Sequence, residues 1–170
     1  MNRYRIPLVL QILVFIIPIN IYVIGDWLGT GIQWALFRYQ QTYLGNSLIT
    51  ITKDITYVLT GVIGGRSGIS FMLWATGVLL FIIAAILVIC ANVYEDTSLV
   101  RKASLVTITG AVFLTGSVIM QYGIFFSSQS GFAIPIGIPV IFILGWWMYQ
   151  EKFEDLRDDE PEDEETAPVL

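Results

Sequence analysis

The sequence has no histidine and a single cysteine, Cys90. The first absence removes His-ligated haem, His-bearing zinc sites and imidazole acid–base chemistry. The second excludes an intrachain disulfide and leaves Cys90 as a small apolar filler. Charge is missing in long stretches. Four blocks, Ile6–Gly25, Ile69–Ala91, Ala103–Phe126 and Phe132–Tyr149, contain no Asp, Glu, Lys or Arg. Proton-coupled pumps usually place ionisable groups inside the membrane, and a nucleophile there would find no base. There is no phosphate-binding glycine loop ending in Lys-Ser/Thr and no Cys-x-x-Cys. "GVIGG" (61–65) lacks the flanking elements of a dinucleotide site and reads as a linker. No cofactor, metal or nucleic acid is expected.

What is present is apolar length. The chain of 170 residues is 55% hydrophobic, against about 45–50% for a soluble domain. Its mean hydropathy is +0.72. A helix of about 20 apolar residues crosses the hydrocarbon layer. The expected fold is therefore an all-α integral membrane protein with four transmembrane helices in an antiparallel bundle, at about 6–25, 69–91, 103–126 and 132–149. The first block follows Arg3 and Arg5 but is too long for a signal-peptide core and has no Ala-x-Ala site, so it reads as a retained anchor.

The net charge of −5 divides unevenly. Residues 151–170 hold ten acidic and two basic groups, and the remaining 150 hold four acidic and seven basic. Residues 1–150 thus read as the membrane domain and 151–170 as an acidic, largely disordered tail. Placing both termini in the cytoplasm puts Arg3, Arg5, Arg101, Lys102, Lys152 and Arg157 inside, leaving Arg38, Lys53 and Arg66 in an extracytoplasmic loop, 26–68. The predicted location is the cell membrane, multi-pass.

A 43-residue loop should have structure of its own. In "TGIQWALFRYQQTYLG", Ile32, Leu36, Tyr39 and Tyr43 fall at helical spacing, with Thr30 as cap and Gly45 as stop. This predicts an amphipathic helix. Residues 46–63 read either as a second helix, with Leu48, Ile51, Ile55, Leu59 and Val62 as its stripe, or as a hairpin turning at Lys53–Asp54. The helix is preferred because Lys-Asp is a poor hairpin turn.

Few residues stand out as candidate sites. Ala103, Thr107, Ala111 and Thr115 place a small residue at every fourth position, a packing face for helices in lipid. Asn20 and Gln121 are the main candidates for a polar path, with Thr52, Thr56 and Thr60 in support. "PIGIP" (135–139) is the third feature. Pro135 can sit in a first helical turn, whereas Pro139 should kink the helix and leave backbone that the aromatic segment Gly31–Tyr43 must cover. Asp26, Asp54, Arg38, Lys53 and Arg66 form no catalytic motif.

Short inner N-terminus, long first outer loop, short inner loop, very short outer loop, inner tail: this plan resembles that of the claudins and related tetraspan proteins. That family's outer-loop signature pairs Gly-Leu-Trp with two cysteines. Here "DWLGTGIQW" has the tryptophans, and no cysteine lies between Asp26 and Gly68, so no junctional function is carried over. The expected function is non-enzymatic: a scaffold or accessory subunit in the lipid bilayer, with a membrane-protein partner or a second copy of itself. The alternative is a small oligomeric channel or transporter.

Overall fold

The computed structural model describes residues 5–25, 28–129 and 131–150. The acidic tail 151–170 lies outside them, as do Asp26 and Trp27. The chain is not the all-α four-helix bundle that its apolar blocks predict. Among the described residues, five helices accompany a six-stranded antiparallel sheet. Two helices are long and apolar enough to cross a membrane.

The first apolar block divides in two. Helix α1, Arg5–Ile16, stops just before Ile17-Pro18, because a residue ahead of proline is pushed out of the α region. Strand β1, Asn20–Ile24, uses the rest of the block. A short apolar run suits a buried strand as well as a buried helix, which is why four blocks looked like four spans.

The segment read as an amphipathic helix is a hairpin, β2 Gly29–Gln33 and β3 Phe37–Thr42. β4, Gly45–Thr50, follows after a turn at Tyr43–Leu44. The helical spacing of Ile32, Leu36, Tyr39 and Tyr43 was coincidental. The period is two, with Gln33, Arg38 and Gln40 on one face and Ile32, Tyr39 and Gln41 on the other. Within 46–63 the hairpin turning at Lys53–Asp54 is not formed, because those residues lie inside α2, Ile51–Leu59, and the preferred helix begins only there, after β4, which pairs with β3.

Helices α3, Gly65–Tyr94, and α4, Thr97–Tyr122, have 30 and 26 residues, or roughly 45 and 39 Å at 1.5 Å each. Their connection is only Glu95–Asp96. Glu95 takes a left-handed conformation, and Asp96 caps α4 by accepting from the Ser98 amide at 2.7 Å. Gly77 and Gly110 face each other across the pair, where a Cβ on Gly110 would lie 2.6 Å from the Phe81 ring. The small-residue face of α4 is spent inside the molecule. Ala103, Thr107 and Ala111 are fully buried, and Thr115 bonds back to the Ala111 carbonyl. Gln11 of α1 fastens the three helices together, donating to the Phe81 carbonyl (3.1 Å) and accepting from Thr107 (3.0 Å).

After α4 the chain forms a small hairpin, β5 Ser127–Ser128 and β6 Gly131–Ile134, before α5, Gly137–Gln150. The last apolar block is thus also part strand and part helix. β6 pairs with β1, giving the order β4-β3-β2-β1-β6-β5. The expected kink at Pro139 is corrected too. α5 starts at Gly137, so Pro139 falls in its first turn, where a missing N–H is harmless. Pro135 precedes the helix. Within the stretch Gly137 and Ile138 are buried, Gly137 lying against the α1–β1 turn, where its amide donates to the Ile19 carbonyl at 3.0 Å.

Candidate functional site

The sheet lies across the ends of α3 and α4, and its two faces differ. On the helix-facing side, strand register lines up Asn20, Gln33 and Arg38 across β1, β2 and β3. Tyr22, two residues along β1, lays its ring over Gly31, where any Cβ would overlap the phenol. These side chains roof a cavity of about 280 Å³ whose floor and walls include Ser70 and Phe71 of α3 and Ser117 and Gln121 of α4.

Arg38 holds the roof to its surroundings. Its guanidinium donates to both Asp54 carboxylate oxygens (2.9 and 2.8 Å) and to Gln40 (3.0 Å), and it lies 4.8 Å above the Phe71 ring. Asp54, in the first turn of α2, is completely buried. Burial works against the Arg38 charge, but the hydrogen bonds and charge of Asp54 outweigh it, so the guanidinium is held protonated beyond its ordinary range. Two members of the charged set that showed no motif thus form a structural bridge between sheet, α2 and α3. Lys53 lies over the Tyr57 ring instead, 5.7 Å away.

Asn20 and Gln121, singled out from the sequence, both line this cavity. Thr56 and Thr60 do not join them: they are exposed on α2 and bond to its own backbone. Asn20 donates to Gln33 at 3.1 Å, while its carbonyl oxygen and that of Gln121 are buried with no hydrogen-bond partner among the described residues, and the Tyr22 hydroxyl is buried beside the Arg38 guanidinium. Ser70 and Ser117 satisfy each other reciprocally across α3 and α4 (2.8 and 2.9 Å to opposite carbonyls). Tyr22 was missed because its role depends on the β1–β2 pairing, invisible while residues 6–25 read as one helix.

Burial pushes the Tyr22 phenol above its ordinary value of 10.0, against the opposing pull of Arg38. The folded state therefore keeps this proton at pH values where the unfolded chain loses it. Its contribution is complete below about pH 10 and is lost as pH rises towards the raised value. Tyr22→Phe should show a smaller fall in melting temperature between pH 9 and pH 11 than the parent protein, as followed by circular dichroism; equal falls would contradict the assignment.

The outward face of the sheet carries no charge at its centre. Leu48, Tyr39, Ile32, Ile21 and Ile134 are successive register partners across β4, β3, β2, β1 and β6, forming one apolar ridge. Leu48 is 62% exposed, Ile134 51%, and Ile21 and Tyr39 38% each. No protein-family model matches the chain, and no curated protein does.

Proposed function

We propose that the protein is a non-enzymatic membrane protein, an accessory subunit or scaffold that docks through the outward face of its sheet. The membrane reading draws support from exposure as well as length. α3 presents Leu79, Ile82, Ile83, Ile86, Ile89 and Val93 outward, whereas a core helix of a soluble protein would bury such residues. α3 and α4 cross the bilayer of the cell membrane, with α1 and α5 packed beside them. Arg5, Arg101 and Lys102 sit at the end remote from the sheet, and Arg101 donates to Tyr149 there at 2.7 Å. The sequence segments flanking that end add Arg3, Lys152 and Arg157, making six basic residues against Arg38, Lys53 and Arg66 on the sheet side, and this imbalance supports a cytoplasmic position for both termini and an extracytoplasmic one for the sheet.

The apolar ridge carries the docking proposal. A row of this length left open to water is a feature of interaction surfaces, and its lack of charge suits an apolar extracytoplasmic segment of another membrane protein. The channel alternative has less support. Beneath the cavity, Trp74, Val78, Phe81 and Leu114 fill the interior between the helices, leaving no polar route among the described residues.

Extraction from native membranes in mild detergent, followed by native mass spectrometry, tests the reading. The expected result is a stoichiometric complex that a Tyr39→Glu, Leu48→Glu double variant reduces at least tenfold while remaining folded. A complex made of two copies of this chain would assign the ridge to self-association. A lone monodisperse monomer of the parent protein would sink the proposal.

A further inference from the structure

The linker "GVIGG" (61–65) opens a second hollow, on the flank of α3. Gly61 and Gly65 take left-handed backbone conformations (φ +76° and +58°), which turn the chain sharply between α2 and α3. At Gly61, Gly64 and Gly65 nothing lies within 4 Å of where a Cβ would stand. The result is a groove of about 430 Å³, with Val58 and Ile63 on one side. The other side is one face of α3, Ile69, Met72, Leu73 and Thr76, at helical spacing. Ile69 is 50% exposed and Met72 43%, so the groove opens sideways, to whatever surrounds α3. Among the described residues Thr76 is its one polar lining side chain, and that hydroxyl already donates to the Met72 carbonyl at 2.9 Å. Ordered water needs polar partners; this lining favours hydrocarbon.

Depth and charge name the occupant. From Gly65 to Thr76 the groove follows α3 for roughly 16 Å at 1.5 Å per residue. Arg66 is the last charged residue before the uncharged run that starts at Ile69. With α3 across the bilayer, the glycines lie at head-group level and Met72 to Thr76 lie within the outer leaflet, half of a hydrocarbon layer of about 30 Å. The 430 Å³ volume equals about fourteen waters at roughly 30 Å³ each, space for a hydrocarbon segment on the order of a dozen carbons. The mouth is cationic. Arg66 is exposed, and no carboxylate pairs with it among the described residues. Asp54, the acidic group of α2, is taken by Arg38. We infer that the groove holds one hydrocarbon tail of an anionic phospholipid of the outer leaflet, with the phosphate beside Arg66. A guanidinium makes strong charge-assisted bonds to phosphate oxygens. An apolar protein segment would bring Arg66 no counter-charge, and a second copy seated here by two-fold symmetry would present the same positive patch.

The inference rests on the membrane placement of α3 proposed above and not on the outward ridge. Its test uses the full chain in nanodiscs of equal parts phosphatidylglycerol and phosphatidylcholine, with retained lipid counted by native mass spectrometry. One phospholipid per chain is expected to stay bound. Phosphatidylglycerol should be favoured about fivefold, the worth of one basic residue at an anionic surface. Thr76→Phe fills the inner part of the groove, because helical side chains lean towards the N-terminus. Gly64→Leu fills the outer part, at a φ of −128° open to any residue. Each should cut retention at least tenfold, whereas Thr76→Val, which keeps the shape and loses the hydroxyl, should leave it unchanged. Arg66→Gln should bind the two lipids equally; an undiminished preference would overturn the placing of the phosphate. No retained lipid, retention unchanged in both filling variants, or a second copy of the chain in place of lipid overturns the inference. A nitroxide at Ile86→Cys, in a Cys90→Ala background, separates its failure from that of the membrane placement, since Ile86 is exposed at mid-α3. A label shielded from aqueous relaxation agents, with no lipid retained, sinks the groove alone. A label open to water sinks both.

Discussion

Asp54→Ala is expected to destabilise the protein by about 3–5 kcal/mol, the usual cost of breaking a buried ion pair from one side. The partners' side chains are 14% exposed for Arg38 and 1% for Asp54. Without Asp54, the guanidinium keeps its bond to Gln40 and its place over Phe71 but loses two charge-assisted bonds and its counter-ion. A domain of this size has only about 5–15 kcal/mol in total, so the variant should be partly unfolded in detergent at 37 °C. The cost comes from the stranded charge rather than from any net benefit of the pair. Removing both charges, as Arg38→Met with Asp54→Leu, should therefore recover most of the loss. Thermal or SDS-induced unfolding of the two variants checks this. A double variant no more stable than the single would show that the bridge itself holds the sheet to α2.

The second large effect is expected at Gly137. Here a single added methyl would overlap the Pro18 carbonyl oxygen and lie 2.9 Å from its carbon. Both are backbone atoms in the turn between α1 and β1, so no side chain can swing aside. Gly137→Ala should cost about 3 kcal/mol, the upper end of the overpacking range, by parting the start of α5 from that turn. The same substitution at Gly116 is the matched control. Its Cβ would meet only the Leu73 side chain at 3.8 Å, an ordinary contact, and in mid-helix alanine gains up to about 1 kcal/mol over glycine. Unfolding midpoints moving in opposite directions are expected. A fall of similar size at both positions would show that the contact with Pro18 is not the cause.

These sites show where the sequence was readable. α3 and α4 could be recognised from uncharged length, because only a helix uses more than 20 apolar residues in one run. Asn20 and Gln121 could be picked out because polar groups are conspicuous in apolar surroundings, and the structure brings them to one cavity. The sheet was hidden by its setting. Its helix-facing side is polar over the cavity and its outward side apolar over the ridge, the reverse of the alternation that marks a strand on a hydrophobic core. β1 and β6 were hidden for a second reason: each continues an apolar helix with no charged residue at the change, only Pro18 and Pro135. Asp54 was masked by its neighbour Lys53, since the pair suggested a turn. Only the arrival of Arg38 from β3 shows why a carboxylate is buried there.

The strand order carries a consequence for how the molecule is made. β1 to β4 are contiguous in the chain, yet β1 finds its other neighbour only in β6, where Ile21 pairs with Ile134. At roughly 5–20 residues per second, the chain takes on the order of 6–23 s to grow from Ile21 to Ile134. Throughout that interval "NIYVI" would be a bare edge beside an open apolar ridge, the kind of strand that pairs with whatever comes near. The last hairpin is thus a closing stitch, and a nascent chain interrupted before Gly131 would carry the most adhesive part of the sheet unguarded.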